Sequence, residues 1–150
     1  MSNQEKSIQN STGYWVTRLA RSMERDFDRR LKQLGITRGA FAVLSAIHHD
    51  GKGKPAELAS YLGLDGAAIT RYLDRIEELG LIARKPNPTD RRSTDIKLTA
   101  EGRKVVGLGQ TMSKATNEKF TAGLTATEVK NFQSALRTMQ ANSDITITNL

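Results

Sequence analysis

Two groups of cations, separated by a run of turn formers, are the residues best placed to do chemistry. Arg71 and Arg75 lie among Ala67, Thr70, Asp74 and Glu78, in a segment whose apolar residues Ile69, Leu73 and Ile76 recur at helical spacing. If that stripe packs inward, the opposite face is small and cationic toward its N-terminal end and acidic toward its C-terminal end. Small residues permit close approach to a partner, a threonine hydroxyl can donate or accept, and a guanidinium can make a bidentate contact to a guanine edge in a major groove. The same face also suits an ordinary amphipathic helix, with Arg71–Asp74 and Arg75–Glu78 pairs in water. The second group is Arg91-Arg92, directly after Asp90 and the turn-rich run Pro86-Asn87-Pro88-Thr89. Paired arginines on an exposed tip can enter a minor groove, where narrow A·T-rich stretches concentrate negative potential. Asp90 is then expected to accept hydrogen bonds from the turn or from an arginine and so aim the tip.

Other chemistries find little support. His48-His49-Asp50 is a cluster, but adjacent helical residues diverge by about 100° per step, so both rings cannot easily face one metal. There is no helix-spaced His-Glu-His, no glycine-rich phosphate loop and no nucleophile with a base nearby in sequence. Neither a metal, a cofactor nor an enzymatic site is expected. The chain has no cysteine, which removes disulfides and thiolate sites. Lysine and arginine total 23 against 16 acidic residues, a formal net charge of +7 with a pI near 9.9. That balance favours polyanions, acidic membrane surfaces included, so charge alone does not choose the partner. No apolar run approaches the roughly 20 residues needed to span a bilayer, and the N-terminus lacks a signal-peptide core, which makes the cytoplasm the expected address.

The elements that must position these residues are mostly helical. Trp15, Leu19, Met23, Phe27 and Leu31 form a four-residue-spaced stripe that predicts a first helix, closed by Gly35. Thr37 can cap a second, carrying Phe41, Leu44 and Ile47. Pro55 suits the first turn of a short helix over 55–62. Gly63-Leu64-Asp65 makes a tight turn, with Asp65 capping a helix that runs from about Gly66 to Leu79 and stops at Gly80. Strands are expected over Leu81–Lys85 and around Ile96 and Leu98, forming a β-hairpin with the turn between them. Thr99 caps a long helix with Val105, Leu108, Met112 and Ala115, weakened by Gly107 and Gly109. Thr125 with Glu128 makes a capping box ahead of a last stripe of Val129, Phe132, Leu136 and Met139. The first and last stripes lie at opposite ends of the chain, and packing them across two copies would supply a shared core. The alternating tail Ile145–Leu150 could clip onto the partner or fray.

Several segments together resemble the MarR family of bacterial transcriptional regulators. They are Glu57-Leu58-Ala59 with Leu62-Gly63-Leu64, Ile69-Thr70-Arg71, Leu79-Gly80-Leu81-Ile82, Asp90-Arg91-Arg92, and Leu98-Thr99-Ala100-Glu101-Gly102. These matches cover 57–102 in the family's order and spacing. The resemblance implies a mostly α fold with a small β-hairpin wing. Its winged helix-turn-helix lobe spans 36–99, and dimerisation helices span 12–34 and 100–150. It implies a homodimer on a pseudo-palindromic duplex with half-sites about one helical turn apart, acting as a ligand-responsive repressor. Gly66, Ala67, Thr70 and Arg71 fall where the recognition helix meets bases, with Arg75 adjacent. Arg92 falls at the groove-entering position of the wing, and Arg91 suits a phosphate. A small aromatic or phenolic effector is implied in a crevice between the lobes, which Trp15, Arg18, Phe41, His48 and Met112 could approach. Two positions depart from the family pattern: Lys54 and Asp65-Gly66 stand where serine or threonine is common, and Asp65 puts a negative charge near DNA. Non-specific architectural binding and a protein-interaction role for the winged lobe are the alternatives.

Overall fold

The structure, a computed structural model, describes residues 8–90 and 92–143. Arg91 and the tail from Ile145 to Leu150 lie outside the described residues. After a 3-10 turn at Ile8–Asn10 the elements are α1 (Thr12–Leu31), a 3-10 turn at Lys32–Leu34, α2 (Arg38–His49), α3 (Pro55–Leu62), α4 (Gly66–Glu78), β1 (Ile82–Pro86), β2 (Thr94–Leu98), α5 (Ala100–Phe120) and α6 (Ala126–Ala141).

Local sequence explains most of these boundaries. The side chains of Thr37, Asp65, Thr99 and Thr125 each accept the backbone N–H three residues on, opening α2, α4, α5 and α6. Each such cap contributes about 1 kcal/mol. Thr125 and Glu128 complete the reciprocal box expected of them. Gly35, Gly63 and Gly80 take left-handed φ values of 69°, 65° and 70°, Gly35 closing the 3-10 turn after α1 and the other two following α3 and α4. The hairpin is antiparallel with Ile82 opposite Leu98 and Arg84 opposite Ile96. It sits one residue later than expected, because Pro86 belongs to β1 rather than to the turn. β1 is an edge strand, so a residue without an N–H is tolerated at its end.

One core serves the winged lobe. Val43 and Leu44 of α2, Leu58 and Leu62 of α3, and Ile69, Leu73 and Ile76 of α4 are all buried, with Ile82 and Ile96 of the hairpin and Val105 and Val106 of α5. The inward stripe of α5 differs from the expected one. Gly102, Val105, Gly109 and Thr116 are buried, whereas Leu108 is exposed. Glycine decides this. A Cβ on Gly109 would fall 2.2 Å from the Phe41 ring, and one on Gly102 would fall 2.0 Å from the Leu81 carbonyl oxygen. Both glycines are sites of close approach rather than weak points of the helix.

Outside that core, α1 and α5 are joined by a buried carboxylate. Asp26, only 3% exposed, accepts from Thr116 Oγ1 at 2.9 Å and Lys119 Nζ at 2.6 Å on α5, and from Arg29 and Arg30 on its own helix. The Lys119 ammonium, then the Arg30 guanidinium, hold its carboxyl far below the ordinary carboxylate range, with Thr116 and Arg29 adding and burial opposing. By contrast, α6 buries no residue, and Phe132 and Met139 are 41% and 45% exposed. Val16, Leu19 and Met23 of α1 face Val129, Phe132 and Leu136 of α6 across an open apolar groove of about 420 Å³.

Gly102→Ala should destabilise the fold by about 1–3 kcal/mol or more, since α5 must move off a backbone carbonyl; Gly107→Ala, with open space around it, should be neutral or stabilising in the same denaturant titration. Asp26 contributes stability that is complete above the ordinary carboxyl pKa of 3.8 and is lost as pH falls below it, because its folded pKa is lowered. Asp26→Asn should therefore lower Tm at pH 7, with the gap to wild type narrowing as the pH of the melt is taken below 3.8.

Candidate nucleic-acid interface

Helix α4 buries Ile69, Leu73 and Ile76 and leaves Gly66, Ala67, Thr70, Arg71, Asp74, Arg75 and Glu78 exposed. The Asp65 carboxylate accepts the Ala68 N–H at 2.7 Å, so the negative charge at the head of the helix is directed into its backbone. Thr70 Oγ1 donates to the Gly66 carbonyl at 2.8 Å, which leaves its methyl and an acceptor lone pair for a partner. Of the two ion pairs that would make α4 an ordinary surface helix, only Arg75–Glu78 is present, at 3.4 Å. Asp74 instead takes Arg84 of β1 at 2.6 Å, and Arg71 has no ion-pair partner among the described residues.

Arg84, which the sequence reading did not single out, braces the wing against α4. Its side chain is 28% exposed, contacts Asp74, and carries Nε 3.5 Å from Glu77 without a hydrogen bond. Acids one turn from the end of a helix, followed by a cation at the start of a strand, were the available signal. The tip of the wing has its own organiser. Asn87 Oδ1 accepts from the Thr89 N–H, the Thr89 hydroxyl and the Asp90 N–H, while Nδ2 donates to both carboxylate oxygens of Asp95 across the hairpin. Asp90 then accepts the Arg92 N–H at 3.0 Å through Oδ1 and the Ser93 N–H at 2.9 Å through its carbonyl. Asp90 thus holds the backbone of the turn leading into Arg92, whose side chain is exposed.

A single joint fixes wing and helix together. Thr99 Oγ1 donates to the Gly80 carbonyl at 2.7 Å, and the Thr99 N–H donates to the Leu81 carbonyl at 3.0 Å, against which Gly102 is packed. The end of α4, both ends of the wing and the start of α5 therefore meet within one hydrogen-bonded turn.

The five residues considered for an effector do not share one place. Trp15 is 58% exposed near the start of α1, where its indole N–H donates to the Gln9 carbonyl, and Arg18 reaches the Tyr14 hydroxyl. Phe41 packs edge-to-face on Phe27 and lines a cavity of about 630 Å³ with Tyr61 and Tyr72. The Tyr61 hydroxyl is bonded to the Asp50 carboxylate, which pushes its pKa up. His48 lines a separate cleft beside β2, and Met112 packs on the core. His49 contacts Gln110, and no group of three or more metal-ligating side chains occurs among the described residues.

Two helices, α3 and α4, joined by the tight turn at Gly63-Leu64-Asp65, with a hairpin fixed to α4 through Arg84 and the Thr99 joint, make a winged helix-turn-helix. The MarR family model matches residues 36–94. The "Multiple antibiotic resistance protein MarR" of Salmonella typhimurium is 36% identical over 115 residues, which is 76% of this chain and 80% of that protein. The reduced form of MarR from E. coli superposes with a TM-score of 0.75 at 31% identity, covering 86% of this chain and 96% of the other. A mutant MarR from E. coli complexed with operator DNA gives a TM-score of 0.73 at 30% identity, covering 85% and 91%. The chain belongs to the MarR family, a family of transcriptional regulators.

Asn87→Ala should leave global stability nearly unchanged, because the residue sits outside the core, while hydrogen exchange accelerates at the Thr89 and Asp90 amides that its Oδ1 holds. Unaltered exchange at those two amides would show that the tip is held by something else.

Proposed function

We propose that the protein represses transcription as a homodimer that binds a pseudo-palindromic duplex operator, one winged lobe on each half-site. The observation that carries this reading is the exposed face of α4: Gly66 and Ala67 clear a path to base edges, and Arg71 has no competing ion pair among the described residues. Arg71 makes the bidentate contact to guanine, Thr70 offers its methyl and an acceptor, and Arg75 lies at the groove edge. Arg92 enters the minor groove, with Asp90 aiming it, and Arg91 takes a phosphate. The operator complex of the E. coli relative supports duplex DNA as the partner.

Dimerisation falls to 12–34 and 100–150, and DNA binding to 36–99. The apolar groove between α1 and α6 and the exposed Phe132 and Met139 support the first assignment, since a monomer leaves them in water. A small aromatic or phenolic effector fits the cavity beside Phe41, within the usual size range for such sites. Trp15, Arg18, His48 and Met112 are not gathered around it. No described helix is long and apolar enough to cross a membrane, and we place the protein in the cytoplasm as a regulator without catalytic activity.

Binding to the protein's own promoter region, measured across a salt series and by footprinting, tests the reading. A discrete two-fold protected site with steep salt dependence is expected; uniform coating of random duplex would indicate an architectural protein instead. Arg71→Ala should relax sequence preference, costing about 1–3 kcal/mol on the preferred site only, whereas Arg91→Ala should weaken all duplexes about equally. Identical behaviour of the two variants would overturn the division of labour.

A further inference from the structure

The side of the wing turned away from the core is a lysine face. Ile82, Arg84, Ile96 and Leu98 share one side of the hairpin, on which Ile82 and Ile96 are buried. Period-two alternation puts Lys85, Asp95 and Lys97 on the other. The loop ahead of α3 extends this surface, since the Ile96 N–H donates to the Gly53 carbonyl at 2.8 Å and so brings Lys54 alongside β2. At the edge of β2, Lys54 and Lys97 line one cleft of about 530 Å³ with Ile96, Leu98 and Arg103 of α5, whose guanidinium donates to the Leu98 carbonyl at 3.0 Å. Two acids also border this cleft. Asp95 is already bonded to Asn87, and Glu57 is the other. Lys54, Lys85 and Lys97 are exposed, and none has an ion-pair or hydrogen-bond partner for its ammonium among the described residues.

We propose that this outer wing face, with Lys54, Lys85, Lys97 and Arg103, binds the sugar-phosphate backbone of duplex flanking the operator. The inference rests on the DNA-binding reading and goes beyond it. The wing's tip and the α4 face account for contacts within a half-site. The lysine face looks away from the body of the lobe, so the duplex it meets lies outside the half-site the tip enters. Flexible ammonium groups on a sheet surface suit phosphates and carry no base code, so the contact adds affinity and length rather than sequence preference. The side chain of Lys54, the N-cap residue of α3, makes no cap hydrogen bond, which leaves it free to serve DNA where the family pattern has serine or threonine.

The test compares two duplexes: the footprinted site trimmed to its half-sites, and the same site extended at each end by about one helical turn of arbitrary sequence. The wild-type protein should bind the extended duplex more tightly and with a steeper salt dependence. The triple variant Lys54→Gln/Lys85→Gln/Lys97→Gln should lose that gain, its slope falling by about 0.9 for each phosphate contact removed, while still binding the trimmed duplex as wild type does. If wild type binds the trimmed duplex and gains nothing from the flanks, or the triple variant keeps the gain, the inference fails and the DNA-binding reading stands. If neither duplex is preferred over random sequence of the same length, operator recognition itself fails.

Discussion

The hydrogen-bonded turn at Thr99 is the constraint on which the rest of the structure depends. Its hydroxyl donates to the Gly80 carbonyl, and its N–H donates to the Leu81 carbonyl. The same hydroxyl accepts the Gly102 N–H at 3.0 Å, opening α5. That one residue therefore ties the end of α4 to both ends of the wing and opens α5, whose far end reaches Asp26 of α1. Gly80 is required because the chain turns there through a left-handed conformation, and Gly102 because the Leu81 carbonyl occupies the place of its Cβ. A change at any of these positions moves the free face of α4 relative to the wing, the two surfaces proposed to meet DNA.

Charge in the winged lobe is partitioned by where each acid is occupied. Asp65 is committed to the helix backbone, Asp74 to Arg84, Glu78 to Arg75 and Asp95 to Asn87. The cations left over, Arg71 and Arg92 among them, face outward. The net charge of +7 thus becomes a directed surface rather than a diffuse one. Asp26 belongs to the other half of the molecule, where Thr116 and Lys119 join α1 to α5 and Arg29 and Arg30 complete its charge from its own helix.

Much of this was legible in the sequence because it is local. Thr37, Asp65, Thr99 and the Thr125–Glu128 box all cap where their chemistry says they should, and the Ile69-Leu73-Ile76 stripe is buried as its spacing requires. What could not be read depends on partners distant in sequence. Arg84 reaches back across a turn to Asp74, Gly109 is chosen by the Phe41 ring, and Leu108 faces outward because the glycines fix which side of α5 packs. The effector candidates share this limit: aromatic and cationic types can be picked out in the sequence, but not that Trp15 and Phe41 sit in different parts of the molecule.

In the proposed function, the N-terminal face of α4 reads guanine in the major groove through Arg71. Methylation interference at guanine N7, an atom exposed only in that groove, addresses it most directly. Interference is expected at discrete guanines in each half-site with the wild-type protein, and should disappear at those same guanines with Arg71→Ala. Interference that is absent, or that persists unchanged in the variant, would contradict it.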